Sequence, residues 1–244
     1  MKSSDRQEAE VTSSPELAIL VPVFNEMEHL PVLMNRLLSL PISKEIIIID
    51  DGSTDGTTQL IRSGFDGKLP DVRVIFIPRN MGKGYCLRQA LPSVRAEYTI
   101  IQDGDMEYDP QDMLVILRKF KQSNAPVIYG SRFLNASPRM HWANRFINWL
   151  LAWMVRFLYR APLTDEATCY KAFRTDILQS LTLRCMRFEF CPEVTAKLLK
   201  KRIPIIEVPI RYEARNVAQG KKIRWTDGVV AIWTLIKYRF VSYE

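Results

Sequence analysis

The sequence predicts an α/β fold: a mostly parallel sheet with helices on both faces. Through about residue 130, apolar runs of strand length alternate with segments of helical period. The connections between them are short, as right-handed crossovers of a parallel sheet require. Two of the apolar runs also end in carboxylates. Ile46–Ile49 leads into Asp50, Asp51, Gly52 and Ser53, and Thr99–Ile101 leads into Gln102, Asp103, Gly104 and Asp105. Continuous apolar runs suit strands buried on both faces.

In chain order, Leu17–Val23 is a strand that ends in the turn Pro22-Val23-Phe24-Asn25-Glu26. Leu30–Leu40 has apolar residues at helical spacing. Glu45–Asp50 is the second strand. Asp55–Arg62 is a helix, with Ser53, Thr54 or Asp55 available as cap. Val72–Ile77 is the third strand, and the stretch Arg79–Gly84 leads into a helix over Gly82–Val94. Tyr98–Gln102 is the fourth strand. A helix follows over Pro110–Gln122, with proline at a favoured early position. Pro126–Gly130 is a short strand.

Beyond residue 130 the composition changes. His141–Tyr159 mixes Trp142, Phe146, Trp149, Trp153, Phe157 and Tyr159 with Arg145 and Arg156, and Arg160 follows. A strand is expected over Thr168–Arg174, helices near Asp176–Leu181 and Pro192–Lys201, a strand over Ile203–Tyr212 and an amphipathic helix over Val229–Phe240. Residues 1–15 are expected to be a flexible leader, because they are polar and lack the apolar stretch of a signal peptide. Residues 16–244 are expected to form one domain, with a nucleotide-binding half (16–130) and an acceptor- and membrane-facing half (131–244).

The 244 residues are 47% hydrophobic and carry a net charge of +7, which favours an anionic partner. No Lys/Arg block with interleaved aromatics is present, so nucleic acid is the weakest candidate among anions. The four cysteines form no C-x-x-C pair and read as reduced cytosolic thiols. No apolar run reaches the length of about 18 residues that spanning a bilayer requires.

The acid clusters sit at the strand ends where open α/β sheets bind ligands. The 1,3 spacing of Asp103 and Asp105 lets two carboxylates face one hard cation such as Mg2+ or Mn2+, and Glu107 continues the alternation. Such a cation would hold a diphosphate leaving group. Asp51 is read as a ligand-facing carboxylate able to accept an N–H from a nucleobase, and Gly52 as a point of close backbone approach to a ligand. Asp55 and Asp109 are read as helix caps. Arg132, at the end of the fifth strand, suits bidentate pairing with phosphate. Arg145, Arg215, Lys221 and Lys222 are further phosphate candidates. In the Trp- and Arg-rich stretch, three tryptophans with cationic neighbours suit a helix lying in a membrane surface.

These pieces together resemble the inverting glycosyltransferases of family 2, with the GT-A fold. The resemblance is carried by Val21–Glu26, Asp50–Thr57 and Gln102–Glu107. Gly130-Ser131-Arg132, Thr164–Arg174, Phe190–Glu193 and Glu207–Ile210 narrow it to the polyprenyl- or dolichyl-phosphate mannosyl- and glucosyltransferase branch. It covers residues 17 to about 240. The resemblance implies that Pro22, Phe24 and Glu26 line the nucleotide pocket and that Asp51 contacts the base. It implies that Asp103, Gly104 and Asp105 meet the diphosphate, with Asp103, Asp105 and Glu107 as ligands of Mg2+ or Mn2+. Arg132, Arg215 and Lys221 join the nucleotide-sugar site, and Asp105, Asp103 and Arg132 are the expected catalytic residues. Arg145, Asp165 and Glu193 are expected on the acceptor side. Relatives often carry Gln at the position of Glu107 and Ala, as a harmless change, at that of Gly104. Cys191 stands where an acid is common.

The expected reaction moves a hexose from a nucleotide sugar, of GDP-mannose or UDP-glucose type, to a polyprenyl phosphate with inversion. The expected place is the cytoplasmic face of a membrane, with peripheral attachment and room for a membrane-protein partner. A phosphate acceptor is already an anion and needs little help from a base. The alternative is a family 2 enzyme acting on a hydroxyl of a glycan or lipid, for which Asp165 or Glu193 would be the base. A sugar nucleotidyltransferase is disfavoured, because Pro22–Glu26 stands where a glycine-rich, lysine-bearing loop belongs.

Overall fold

The computed structural model describes residues 14–134, 138, 140–214 and 225–241. Seven strands form one sheet: β1 (Leu17–Val23), β2 (Lys44–Asp50), β3 (Val72–Phe76), β4 (Tyr98–Ile101), β5 (Val127–Ser131), β6 (Lys171–Arg174) and β7 (Ile205–Pro209). Their spatial order is β3-β2-β1-β4-β6-β5-β7, so both halves of the sequence build the same sheet. All pairings are parallel except those of β6, which runs antiparallel to both β4 and β5.

The sheet is central because its strands are apolar on both sides. Ile46, Ile47, Ile48 and Ile49 are all fully buried, and each such side chain contributes about 1.5–3 kcal/mol by leaving water. The helices are α1 (Leu30–Leu38), α2 (Thr57–Gly64), α3 (Lys83–Ala90), α4 (Asp112–Ser123), α5 (Trp142–Tyr159), α6 (Thr175–Gln179), α7 (Phe190–Lys200) and α8 (Trp225–Phe240). The helix expected over Gly82–Val94 ends at Ala90, where Pro92 allows only a 3-10 turn over Leu91–Ser93. The strand expected from Thr168 begins at Lys171, because the Cys169 N–H just before it goes to Tyr108 Oη rather than to a neighbouring strand.

The sheet order reverses beside β1, whose neighbours are β2 and β4. Such a switch point opens a crevice at the carboxyl ends of the strands. Val23 ends β1, Asp50 ends β2 and Ile101 ends β4, so both acid clusters reach that crevice.

Candidate active site

The crevice is a cleft of about 1090 Å³, at the upper end of the range for small-molecule sites. Pro22, Phe24, Glu26 and Asp51 line it from β1 and β2, and Asp103, Gly104, Asp105 and Glu107 from the loop after β4. The eight residues expected at these three strand ends therefore meet in one place.

Each is held by its local backbone. Glu26 is buried, lies 3.0 Å from His29 Nδ1, and donates its own N–H to Thr57 Oγ1 (2.9 Å). The buried Asp51 carboxylate accepts backbone N–H groups from Met81 (2.7 Å) and Gly82 (2.8 Å). Two of its roughly four lone-pair positions are thus used to hold the loop before α3. Asp50 is not a ligand group, since it accepts from Ser53 N–H in its own loop and from Thr58 Oγ1 on α2. Asp55 was expected to cap α2, but Gly56 holds the capping position without a side-chain cap; the Asp55 carboxylate serves the preceding turn, accepting from Thr57 N–H and Met27 N–H. The close approach permitted by Gly52 is to protein rather than ligand: at φ +69°, a Cβ there would stand 2.7 Å from Arg79 Cα. Alanine at Gly104 is not a free change, because its methyl would stand 2.9 Å from Val23 Cγ1.

The site contains a cation that the sequence reading passed over. Lys83, the first residue of α3, donates through Nζ to Asp103 Oδ1 and lies 3.3 Å from Cys169 Sγ. Burial is the largest single influence and would lower its pKa, but the surrounding groups, Asp103 foremost, together leave it raised. Burial pushes the Cys169 thiol up, so it stays protonated beside the ammonium. Among the described residues lining the cleft, Lys83 and Arg187 are the cationic ones. A lysine between two glycines at a helix start was the available signal for Lys83. Arg187 has none in the linear sequence.

The expected acceptor-side residues behave differently. Arg132 forms a bidentate pair with Asp165, Nε to Oδ2 and Nη2 to Oδ1 at 2.7 Å each, and its own N–H reaches Oδ2 at 3.0 Å. Both side chains are buried and neither lines the cleft. Asp165 thus occupies the Nε/Nη2 edge of the guanidinium expected to grip phosphate, and as a buried residue outside the cleft lining it is not placed to act as a base. Glu193 is also internal, accepting from Lys197 Nζ (2.5 Å), Arg184 N–H (2.8 Å) and Tyr238 Oη (2.9 Å). Arg145 is exposed on α5, outside the lining. Arg215, Lys221 and Lys222 lie outside the described residues.

The fit to a divalent cation rests on Asp103 and Asp105, two hard oxygen donors in one cleft. Among the described residues no three His, Cys, Asp or Glu side chains converge as a metal site. Glu107 is not gathered as a third ligand, and its Oε2 accepts from Tyr212 Oη at 3.0 Å. Two carboxylates suffice for Mg2+, which is commonly held by one or two of them together with substrate phosphates.

The far wall of the cleft comes from α5 and α8, including Phe146, Ile147, Asp227 and Ala231. On α5, Asn148, Leu151, Ala152, Met154 and Val155 face inward. Trp142, Phe146, Trp149, Trp153 and Phe157 recur every three or four residues on the outer side and are exposed, Trp142 by 75%, and of these Phe146 also borders the cleft. On α8, Trp233 and Phe240 are exposed as well. No described helix is long and apolar enough to cross a membrane.

Residues 18–182, about two-thirds of the chain, match the family described as Glycosyl transferase family 2. The chain belongs to that family. Among its family 2 relatives, it is 24% identical over 219 residues to the dodecaprenyl-phosphate galacturonate synthase of Rhizobium johnstonii. The match covers 85% of this chain but only 62% of that relative, less than two-thirds of its length. The undecaprenyl-phosphate mannosyltransferase of Micrococcus luteus is 24% identical over 212 residues, covering 83% of this chain and 85% of the relative. Among solved structures, the glucosyl-3-phosphoglycerate synthase of Mycobacterium tuberculosis, crystallised with Mn2+, UDP and phosphoglyceric acid, superposes with a TM-score of 0.67. It is 16% identical, and the match covers 94% of this chain and 80% of that one, a likeness of fold. The GT-A fold expected of family 2 is the one observed.

Proposed function

We propose that this glycosyltransferase moves a hexose from a nucleotide sugar to a polyprenyl phosphate at a membrane surface. One observation carries the reading: a single cleft has Asp103 and Asp105 on one wall, while its other wall is formed by helices whose outer faces are exposed Trp and Phe. The acids suit a metal-bound diphosphate, and the aromatic face suits a lipid boundary. The named relatives act on polyprenyl phosphates, which supports the acceptor class.

In this reading Pro22, Phe24, Glu26 and Asp51 hold the nucleoside. Asp103 and Asp105 hold Mg2+ or Mn2+ and the diphosphate. When bound, the cation supplies charge stabilisation for the departing nucleoside diphosphate. The residues themselves bind and orient. The acids fix the diphosphate at the end of β4, and Lys83 and Arg187 add positive charge to the same cleft. The acceptor phosphate attacks the anomeric carbon from the opposite side in one in-line displacement, with inversion. It arrives as an anion, so no protein base is required. That fits a site in which Asp165 and Glu193 are internal ion-pair partners, and it disfavours the hydroxyl-acceptor alternative.

Attachment would be peripheral. Trp142, Trp149, Trp153 and Phe157 would enter the headgroup boundary, with Arg145, Arg156 and Arg160 nearby at phosphate level. The polyprenyl tail would then remain in the bilayer while its phosphate reaches the cleft beside α5. The test is a panel of radiolabelled nucleotide sugars incubated with polyprenyl phosphate in vesicles and metal. The expected result is label in the lipid extract from one donor. Label entering no lipid with any donor removes the proposal.

A further inference from the structure

We propose that Lys83 makes metal binding conditional on the donor: its ammonium occupies Asp103 while the cleft lacks a nucleotide, and transfers to the diphosphate when donor and metal arrive together. The inference rests on the reading of Asp103 and Asp105 as the metal- and diphosphate-holding acids. It adds a role for a residue that this reading does not require.

Three features of the cleft lead to it. First, the Lys83 side chain is only 11% exposed, while that of its partner Asp103 is 28% exposed. The lysine is held beneath the carboxylate, whose remaining surface faces the cleft. Second, Asp103 and Asp105 are accompanied by no third converging metal-binding side chain among the described residues. With Asp103 paired to an ammonium, a divalent ion meets a competing cation at one of the two carboxylates. Third, Lys83 has a flexible four-carbon stem and is the first residue of α3, so its ammonium can move while its backbone stays anchored. A diphosphate bound at the β4 end gives that ammonium a second anionic partner within reach of the same anchor, and returns Asp103 to the cation.

Such coupling is reciprocal: if the nucleotide tightens the metal, the metal tightens the nucleotide by the same factor. Lys83 would be its source. Lys83→Met keeps an unbranched chain of similar length and removes the charge, while Lys83→Arg keeps the charge.

The experiment is Mn2+ binding to the full chain, followed by calorimetry and by the loss of free Mn2+ signal in electron paramagnetic resonance, with and without UDP or GDP. In the wild type, the nucleoside diphosphate that binds should tighten Mn2+ by about tenfold or more, within the usual range of coupling. In Lys83→Met, Mn2+ should bind nucleotide-free protein several-fold more tightly than in wild type. The nucleoside diphosphate should bind the Mn2+-loaded variant several-fold more weakly, so that the coupling shrinks from both sides. Lys83→Arg should keep weak nucleotide-free metal binding. The inference is overturned if Lys83→Met binds Mn2+ no more tightly than wild type in the absence of nucleotide. It is equally overturned if wild-type Mn2+ affinity is the same with and without nucleotide, a result that needs no variant to fold. A wild-type chain that binds neither nucleotide nor any nucleotide sugar instead contradicts the proposed function, which separates the two failures.

Discussion

Two aspartate–cation pairs lie at the ends of β4 and β5, on either side of β6, and they differ in every respect that matters for chemistry. At the end of β4, Asp103 is partly exposed to the cleft and meets Lys83, a point charge on a flexible stem. At the end of β5, Asp165 is fully buried and clasped by Arg132 through a two-pronged pair. A lysine contact beside open space can be exchanged for another cation. A buried bidentate arginine pair cannot, because separating it leaves a charge with no water to receive it. The linear sequence presents both aspartates as candidate site residues, and only their partners tell the chemical one from the structural one.

The buried pair offers the most forceful way to break this contrast. Asp165→Ala should cost about 3–5 kcal/mol of stability by stranding Arg132, read as a fall in the urea midpoint. A variant that unfolds like wild type but fails in transfer would instead place Asp165 in the chemistry.

Substitutions at the cleft acids should have the reverse signature. Asp105→Ala or Asp103→Asn should lower turnover on the order of 100-fold or more, the scale of losing one transition-state charge contact, with the urea midpoint little changed. Wild-type turnover by Asp105→Ala with metal present would refute the metal assignment.

The aromatic face sharpens the same distinction between surface that is kept free and surface that is buried. Trp149→Ser together with Trp153→Ser should weaken binding to anionic vesicles by about tenfold or more, given about 1.5–3 kcal/mol for burying each large apolar side chain. Cosedimentation would show it, and stability should stay within about 0.5 kcal/mol.

The smallest effect concerns Glu166 on the cleft floor. Its carboxyl is fully buried and neither oxygen has a hydrogen-bond partner. Lys171 Nζ is 4.0 Å away, and the Thr195 hydroxyl beside it is hydrogen-bonded to Tyr129 Oη at 3.0 Å. Burial raises its pKa above the usual glutamate value, with Lys171 opposing only in part. The folded state therefore holds this proton to higher pH than the unfolded chain does. That contribution to stability is fully present below the unfolded pKa and is lost as pH rises through the folded one. In Glu166→Gln the corresponding slope in a urea-midpoint profile should flatten. An unchanged slope would show that Glu166 titrates normally.

Much of this arrangement was legible in the chain. Ile46–Ile49 and Thr99–Ile101 gave away buried strands, and acids directly after a strand are carried to the sheet edge by the backbone itself. What was not legible depends on distant partners. Arg132 meets Asp165 because β5 ends against the segment before β6, a meeting across 33 positions. Lys83 meets Asp103 because α3 starts beside the end of β4, 20 positions away in sequence. Glu193 looked like an acceptor-side acid until α7 and α8 enclosed it with Lys197 and Tyr238. The outward aromatic face of α5 was visible as a period, since Trp142, Phe146, Trp149, Trp153 and Phe157 fall on one side of a helix.

The most direct test of the central claim compares two acceptors in the same vesicles, polyprenyl phosphate and the matching polyprenol, with the labelled donor that the chain uses. A phosphate acceptor working without a protein base predicts label on the phosphate alone. Equal or preferred labelling of the alcohol would contradict the account, and Glu166 would then be the cleft acid to examine as its base.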